Sequence, residues 1–156
     1  MSSFRIAALS GSLRAASINT ALLREIAARA PDWFVVDLVP LDGLPLFNPD
    51  LEATLPAAVA AFRADVGARD ALIIASPEYA HGISGVLKNA LDWLVGCEDF
   101  AGKPVLVLHT APRAQHAVAA LREILATMSA QIIDELPNLA TAIHLSNQGC
   151  SNAAHN

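Results

Sequence analysis

An early stretch of the chain, "SGSLRAASIN" at residues 10–19, concentrates groups that can bind an anion. It joins a short apolar run to a helical pattern. Its polar members are Ser10, Ser12, Arg14, Ser17 and Asn19. The first amides of a helix point outward and its dipole favours negative charge, while a guanidinium suits phosphate oxygens. This loop therefore predicts a phosphate site.

The type of phosphate ligand is narrowed by what the loop lacks. Neither GxGxxG nor GxxxxGK[ST] occurs, and the loop has no lysine, which disfavours a dinucleotide fingerprint and a P-loop. A monophosphate ligand is favoured instead. The alternative is that the serines only cap the helix and the turn, and we expect Ser17 to cap the helix in either case.

Strand-like and helix-like segments alternate along the chain. The strands are predicted at residues 4–9, 34–39, 70–76, 103–109 and 131–136. The helices are predicted from Ser17 to about Ala30, from near Pro56 to Gly67, within 84–96 and within 111–130. This rhythm predicts an α/β fold with a doubly wound, five-stranded parallel sheet of order 2-1-3-4-5. The loops after Leu9, Ala75 and His109 then share the edge where such sheets bind ligands.

Composition narrows the class of protein further. The chain has 156 residues, 54% of them hydrophobic, and a net charge of −5, which predicts one domain over residues 1–156 without a nucleic-acid surface. No uncharged apolar run approaches the roughly 20 residues of a membrane span. Cys97 and Cys150 lie far apart, so a reduced, cytoplasmic location is expected. The five histidines show no metal-ligand spacing, so no metal is predicted.

The second informative stretch is "SPEYAHGISGVLKNALDWLV" at residues 76–95. Pro77 follows a buried strand and fixes the turn, so Glu78 and Tyr79 project at the ligand edge. Together with "GSLRAASIN", this segment resembles the NADPH-dependent FMN reductase family, whose motifs are GSxRxxSxN after the first strand and PEYN with GxLKNAxDW after the third. The resemblance covers about residues 4 to 137 and implies a flavodoxin-like fold.

The resemblance implies hydride transfer from NADPH or NADH through FMN to a small acceptor such as a quinone, a free flavin or a metal oxyanion. The residues it places around the FMN phosphate are Arg14, Ala15, Ala16, Ser17, Ile18 and Asn19, with Ser12 close by. The residues it places along the isoalloxazine ring are Pro77, Glu78, Tyr79 and Ala80, with Thr110, Ala111 and Pro112 on the other side. It also implies a homodimer or homotetramer. No side chain is assigned as a catalytic nucleophile or base.

Three departures from the family pattern stand out. Ala80 replaces the usual Asn, so any side-chain bond from that position is lost. The segment "HTAPRAQ" has no glycine and looks shorter than the family's third loop. Nothing after Glu135 predicts a fifth long helix, and the tail "LSNQGCSNAAHN" is expected to fray. The glycine-free third loop keeps open the alternative of a non-redox protein with a degenerate flavin pocket. A flavodoxin-like electron carrier is the other alternative.

Several side chains have two possible roles. Tyr79 either stacks near the flavin or packs under its loop. Glu78 either meets the ring's polar edge or a partner subunit, or is a solvated carboxylate. His81 is either a proton donor or a surface group. Lys88 and Asp92 are spaced for an ion pair on one helix, and the resemblance also implies a role in subunit contact for them. Trp93 suits the core or an interface better than a ligand platform.

Overall fold

A five-stranded parallel sheet forms the centre of the computed structural model, which describes residues 3–136 and 138. The strands are β1 (Phe4–Ser10), β2 (Phe34–Leu38), β3 (Ala71–Ala75), β4 (Pro104–Leu108) and β5 (Gln131–Ile133). Their order is β2-β1-β3-β4-β5 with every neighbouring pair parallel, which confirms the predicted topology. All five residues of β3 are buried, as a central strand covered on both faces requires.

Helices cover both faces of the sheet. They are α1 (Ile18–Arg29), α2 (Ala57–Gly67), α3 (Gly85–Leu94) and α4 (Gln115–Thr127), with 3-10 turns at Pro49–Leu51 and Glu98–Phe100. Successive strand residues point to opposite faces, so Leu72 and Ile74 pack under α2, α3 and α4 while Ile73 packs under α1. The chain therefore alternates strand and crossover helix as the sequence predicts. None of the described helices is long and apolar enough to cross a membrane.

Some element boundaries differ from the sequence predictions. β5 ends at Ile133, three residues before the end of the predicted strand, because the next two residues are exposed carboxylates on an edge strand. Pro56 is the N-cap of α2 and not its first helical residue. On α3, Trp93 is fully buried and belongs to the core, which is one of the two roles expected for it. The predictions of a frayed tail and a missing last helix concern residues outside the described ones.

Two cations with shifted pKa values lie at the amino ends of the central strands. Burial alone would lower the pKa of the Arg69 guanidinium, but hydrogen bonds to Asp65 and Asp37 raise it above its ordinary value. Burial lowers the pKa of Lys103, which donates to the carbonyls of Gly67 and Arg69. These groups tie α2 to the sheet at the end opposite the three predicted ligand loops, so their role is structural.

Candidate functional site

The first loop (residues 11–17) is held in shape by its own hydroxyl groups. Ser17 is the N-cap of α1, and its Oγ accepts from the Thr20 backbone N at 3.2 Å, as predicted. The Ser10 and Thr20 hydroxyl oxygens lie 2.7 Å apart. Ser12 Oγ accepts from the Arg14 backbone N at 3.3 Å. The Ser10 hydroxyl therefore braces the loop against α1, and a ligand would meet other donors.

Those other donors are backbone amides at the start of α1. Four backbone amides around Ser17 have no acceptor within the described part of the chain, those of Ala15, Ala16, Ile18 and Asn19. The Arg14 side chain is exposed and makes no hydrogen bond or ion pair with any described residue. Because the helix dipole adds partial positive charge here, this donor set fits a phosphate group.

Gly11 brings the first loop against the second loop (residues 76–84). Its N–H donates to the Ala75 carbonyl at 2.8 Å. A Cβ at this position would lie 2.7 Å from Ser76 Oγ, 3.0 Å from Ser84 Oγ and 3.1 Å from Ser76 Cα. Only a glycine allows this approach without displacement of the backbone. This role of Gly11 was not predicted from the sequence, although a glycine directly after a buried strand is its signal.

The tip of the second loop is a two-residue hairpin. The backbone N–H groups of Tyr79 and Gly82 each donate to the other's carbonyl at 3.0 Å. The two central residues, Ala80 and His81, have φ values of 49° and 59°. Two positive φ values define a type I′ turn, in which Asn is favoured at the first central position. The Asn of the family motif thus suits the backbone itself, whereas Ala80 holds the same conformation under strain. Tyr79 is 56% exposed, so it does not pack under the loop.

Two hydrogen bonds hold the third loop (residues 109–114) and the helix that follows it against the rest of the site. Thr110 Oγ1 donates to Asn19 Oδ1 at 2.7 Å, which links the third loop to α1. Glu78 Oε2 accepts from the Ala117 backbone N at 2.9 Å, which links the second loop to α4. The start of α1, the second loop and the third loop enclose a cavity of about 380 Å³ lined by Ile18, Asn19, Pro77, Glu78, Thr110, Ala111, Arg113 and Ala114. Arg113 and Ala114 were not among the predicted site residues.

Other residues singled out in the sequence do not line this cavity. Ser10 and Ser12 line a separate cavity of about 220 Å³ on the β2 side of the first loop. His81 stacks on His116, with ring centroids 4.1 Å apart and an interplanar angle of 14°. His109 is exposed just after β4. On α3, Lys88 Nζ donates to Asp92 Oδ1 at 2.6 Å, which is the ion pair expected from the spacing.

Comparison with known proteins identifies the family. The model of the NADPH-dependent FMN reductase family matches residues 4–143. The chain belongs to this family. It is 41% identical over 107 residues to an NAD(P)H-dependent FMN reductase of Pseudomonas aeruginosa, covering 67% of this chain and 58% of that protein. It is 52% identical over 94 residues to a probable NADPH:quinone oxidoreductase of Oryza sativa, covering 57% of this chain and 46% of that protein. The chain thus matches about half the length of these relatives.

Solved structures support the same assignment. The structure of this chain superposes on that of FerB, a flavoenzyme NAD(P)H:(acceptor) oxidoreductase from Paracoccus denitrificans, with a TM-score of 0.78. The two sequences are 29% identical, and the match covers 85% of this chain and 76% of FerB. The structure also matches an azoreductase from Bacillus anthracis with a TM-score of 0.61 and 15% identity, covering 97% and 98% of the two chains. The second likeness shows the fold alone. Together with the family match, these comparisons confirm the flavodoxin-like architecture.

The contact at Gly11 gives a first testable prediction. Gly11→Ala should lower the free energy of unfolding by about 1–3 kcal/mol, because the added methyl group meets the Ser76 backbone. Gly43→Ala is the matched control, since a Cβ there has no neighbour within 4 Å. Urea unfolding of both variants measures the difference. Equal stability of the two variants would contradict the close approach of the loops.

The hairpin at Ala80 gives a second prediction. Ala80→Asn should raise the free energy of unfolding by about 0.5–1 kcal/mol, because Asn tolerates positive φ better than alanine does. Ala101→Asn is the control, since Ala101 is also exposed but has a φ of −58°. Thermal unfolding of the two variants provides the comparison. A gain in both, or in neither, would show that the turn is not strained at Ala80.

Proposed function

We propose that this chain is a single FMN-binding domain and an NAD(P)H-dependent flavin oxidoreductase that reduces a small acceptor. The observation that carries the proposal is the cavity lined by the start of α1 and by the second and third loops, together with the amides at the start of α1 and the Arg14 guanidinium, which have no partner among the described residues. This combination suits a ligand with a planar ring at one end and a phosphate at the other. Family membership and the names of the relatives support the same ligand.

The residues present fit FMN in two groups. At the phosphate end, the amides of Ala15, Ala16 and Ile18 would donate to phosphate oxygens while Arg14 neutralises their charge. At the ring end, Pro77 of the second loop and Thr110 of the third loop line the cavity and would orient the isoalloxazine. Bound FMN would supply the capacity to accept a hydride and to pass on electrons. The protein's contribution is to bind and orient, so no side chain is required as a nucleophile.

The acceptor class follows from the relatives and from the openness of the site. The relatives include a 2-hydroxy-1,4-benzoquinone reductase and an NADPH:quinone oxidoreductase. Tyr79 and Ile18 are 56% and 74% exposed beside the site, so an apolar planar molecule could approach the ring. A quinone is therefore the preferred acceptor in this proposal, with free flavin and metal oxyanions as other candidates.

Assembly and location belong to the same proposal. Leu46 and Val95 are 84% and 67% exposed, and both adjoin α3, because the Pro45 carbonyl accepts from Trp93 Nε1 at 2.8 Å. Exposed apolar side chains of this kind favour a homodimer, and a homotetramer is the larger alternative. Sedimentation that finds only monomers would exclude both. The two cysteines of the sequence, Cys97 and Cys150, lie far apart and do not form a disulfide framework pattern, which favours a reducing, cytoplasmic environment.

Charge reversal at the phosphate end tests the proposal. Arg14→Glu combined with Ser17→Ala should weaken FMN binding by roughly 100-fold, because a charge-assisted contact is lost and the helix cap is removed. Arg24→Glu is the control, because Arg24 lies within α1, beyond the unpaired amides at the start of that helix. Flavin fluorescence quenching gives the dissociation constants. FMN affinity that is unchanged in the double variant, or equally reduced in the control, would contradict the assignment.

FMN-loaded wild-type protein distinguishes an enzyme from an electron carrier and from a protein with a degenerate pocket. Anaerobic addition of NADPH or NADH to the FMN-loaded protein should bleach the flavin bands without any protein partner. A flavin that binds but is not bleached would indicate an electron carrier. A protein that takes up no FMN would indicate a degenerate pocket and would overturn the proposed function.

A further inference from the structure

The second loop contacts α4 at two adjacent residues of its first turn. Glu78 Oε2 accepts from the Ala117 backbone N at 2.9 Å. The His81 ring stacks on the ring of His116, which precedes Ala117. The hairpin between Tyr79 and Gly82 fixes the positions from which both side chains reach α4. Two contacts of different chemistry therefore hold the same helix end against the same loop.

The helix itself explains why an outside group is needed. The N-cap of α4 is Ala114, which has no side-chain acceptor, and the first turn of α4 contains no acidic residue. The first amides of such a helix have no local partner. The Glu78 carboxylate supplies both the missing acceptor and a negative charge that suits the helix dipole. It performs the capping that a Ser or Asp at residue 114 would perform in an ordinary helix.

The position of α4 matters for the ring end of the site. The third loop connects β4 to α4, and Thr110, Ala111 and Ala114 line the cavity. The amino-terminal end of the third loop is tied to α1 by the hydrogen bond between Thr110 and Asn19. Its other end is the start of α4, which Glu78 and His81 hold. A short, glycine-free loop fixed at both ends has few alternative conformations.

We infer that Glu78 and His81 are positioning residues, which cap and hold α4 and thereby set the width of the cavity between the second and third loops. This inference rests on the proposed function only in its consequence for FMN affinity. The capping contact is a property of the protein without ligand. Neither residue is assigned contact with the reacting atoms.

Hydrogen exchange of the ligand-free protein tests the contact directly. In Glu78→Ala, amides of residues 109–117 should exchange roughly tenfold faster than in the wild type. Glu78→Gln should lie between the two, because its amide oxygen can still accept but carries no charge. His116→Ala should show a smaller, few-fold increase. Glu123→Ala is the control, since Glu123 is an exposed carboxylate on the same helix.

Flavin binding to the same variants tests the consequence. FMN affinity should fall roughly tenfold in Glu78→Ala and by a smaller factor in Glu78→Gln. It should stay at the wild-type value in Glu123→Ala. The visible circular dichroism of bound flavin should change in Glu78→Ala, because it reports the surroundings of the ring. A role confined to stability would lower the unfolding midpoint and leave both readouts unchanged.

The outcomes separate this inference from the proposed function. Exchange that stays at the wild-type rate in Glu78→Ala contradicts the contact with α4, whether or not FMN binds. Faster exchange with unchanged FMN affinity contradicts the effect on the cavity. A wild-type protein that takes up no FMN overturns the proposed function, and the exchange measurement still decides whether Glu78 holds α4.

Discussion

Unpaired backbone amides at the start of α1 are the feature on which the site depends. A helix leaves its first amides without internal partners, and the Ser17 side chain satisfies only that of Thr20. Ala15 and Ala16 are exposed, and their side chains are single methyl groups that leave the backbone amides accessible to a ligand. Arg14 adds a full positive charge to the partial charges of the helix end. In the proposed site, an anion of phosphate geometry would satisfy all of these groups together.

The strand order brings the proposed phosphate site close to the cavity that we propose for the ring. β1 and β3 are neighbours although α1, β2 and α2 separate them in the chain, so the loops that follow them meet where Gly11 contacts Ser76. Asn19 belongs to α1 yet accepts from Thr110 of the third loop. The phosphate end and the ring end are therefore mechanically connected. A third loop without glycine remains compatible with a shaped cavity because other elements hold both of its ends.

Local patterns predicted the fold and half of the site. Alternating apolar periods identified the strands and helices, and parallel topology followed from the alternation. The Ser17 cap was predictable because it lies within four residues of its partner. The Glu78 contact joins residues 39 positions apart and the Thr110 contact joins residues 91 positions apart, so no local pattern contains them. The missing cap at Ala114 was a readable signal that an outside group would be required. The positive φ of Ala80 was hidden because alanine rarely adopts it.

A comparison of FMN with riboflavin, which differs only by the phosphate, tests the central claim most directly. Titration of the ligand-free protein at low salt should give an FMN affinity at least about 100-fold higher than that of riboflavin, since charge-assisted hydrogen bonds each contribute about 1.5–3 kcal/mol. Added salt should reduce this difference, because Arg14 is exposed. Equal affinities for the two ligands would show that the first loop does not bind the phosphate, and the account of the site would fail.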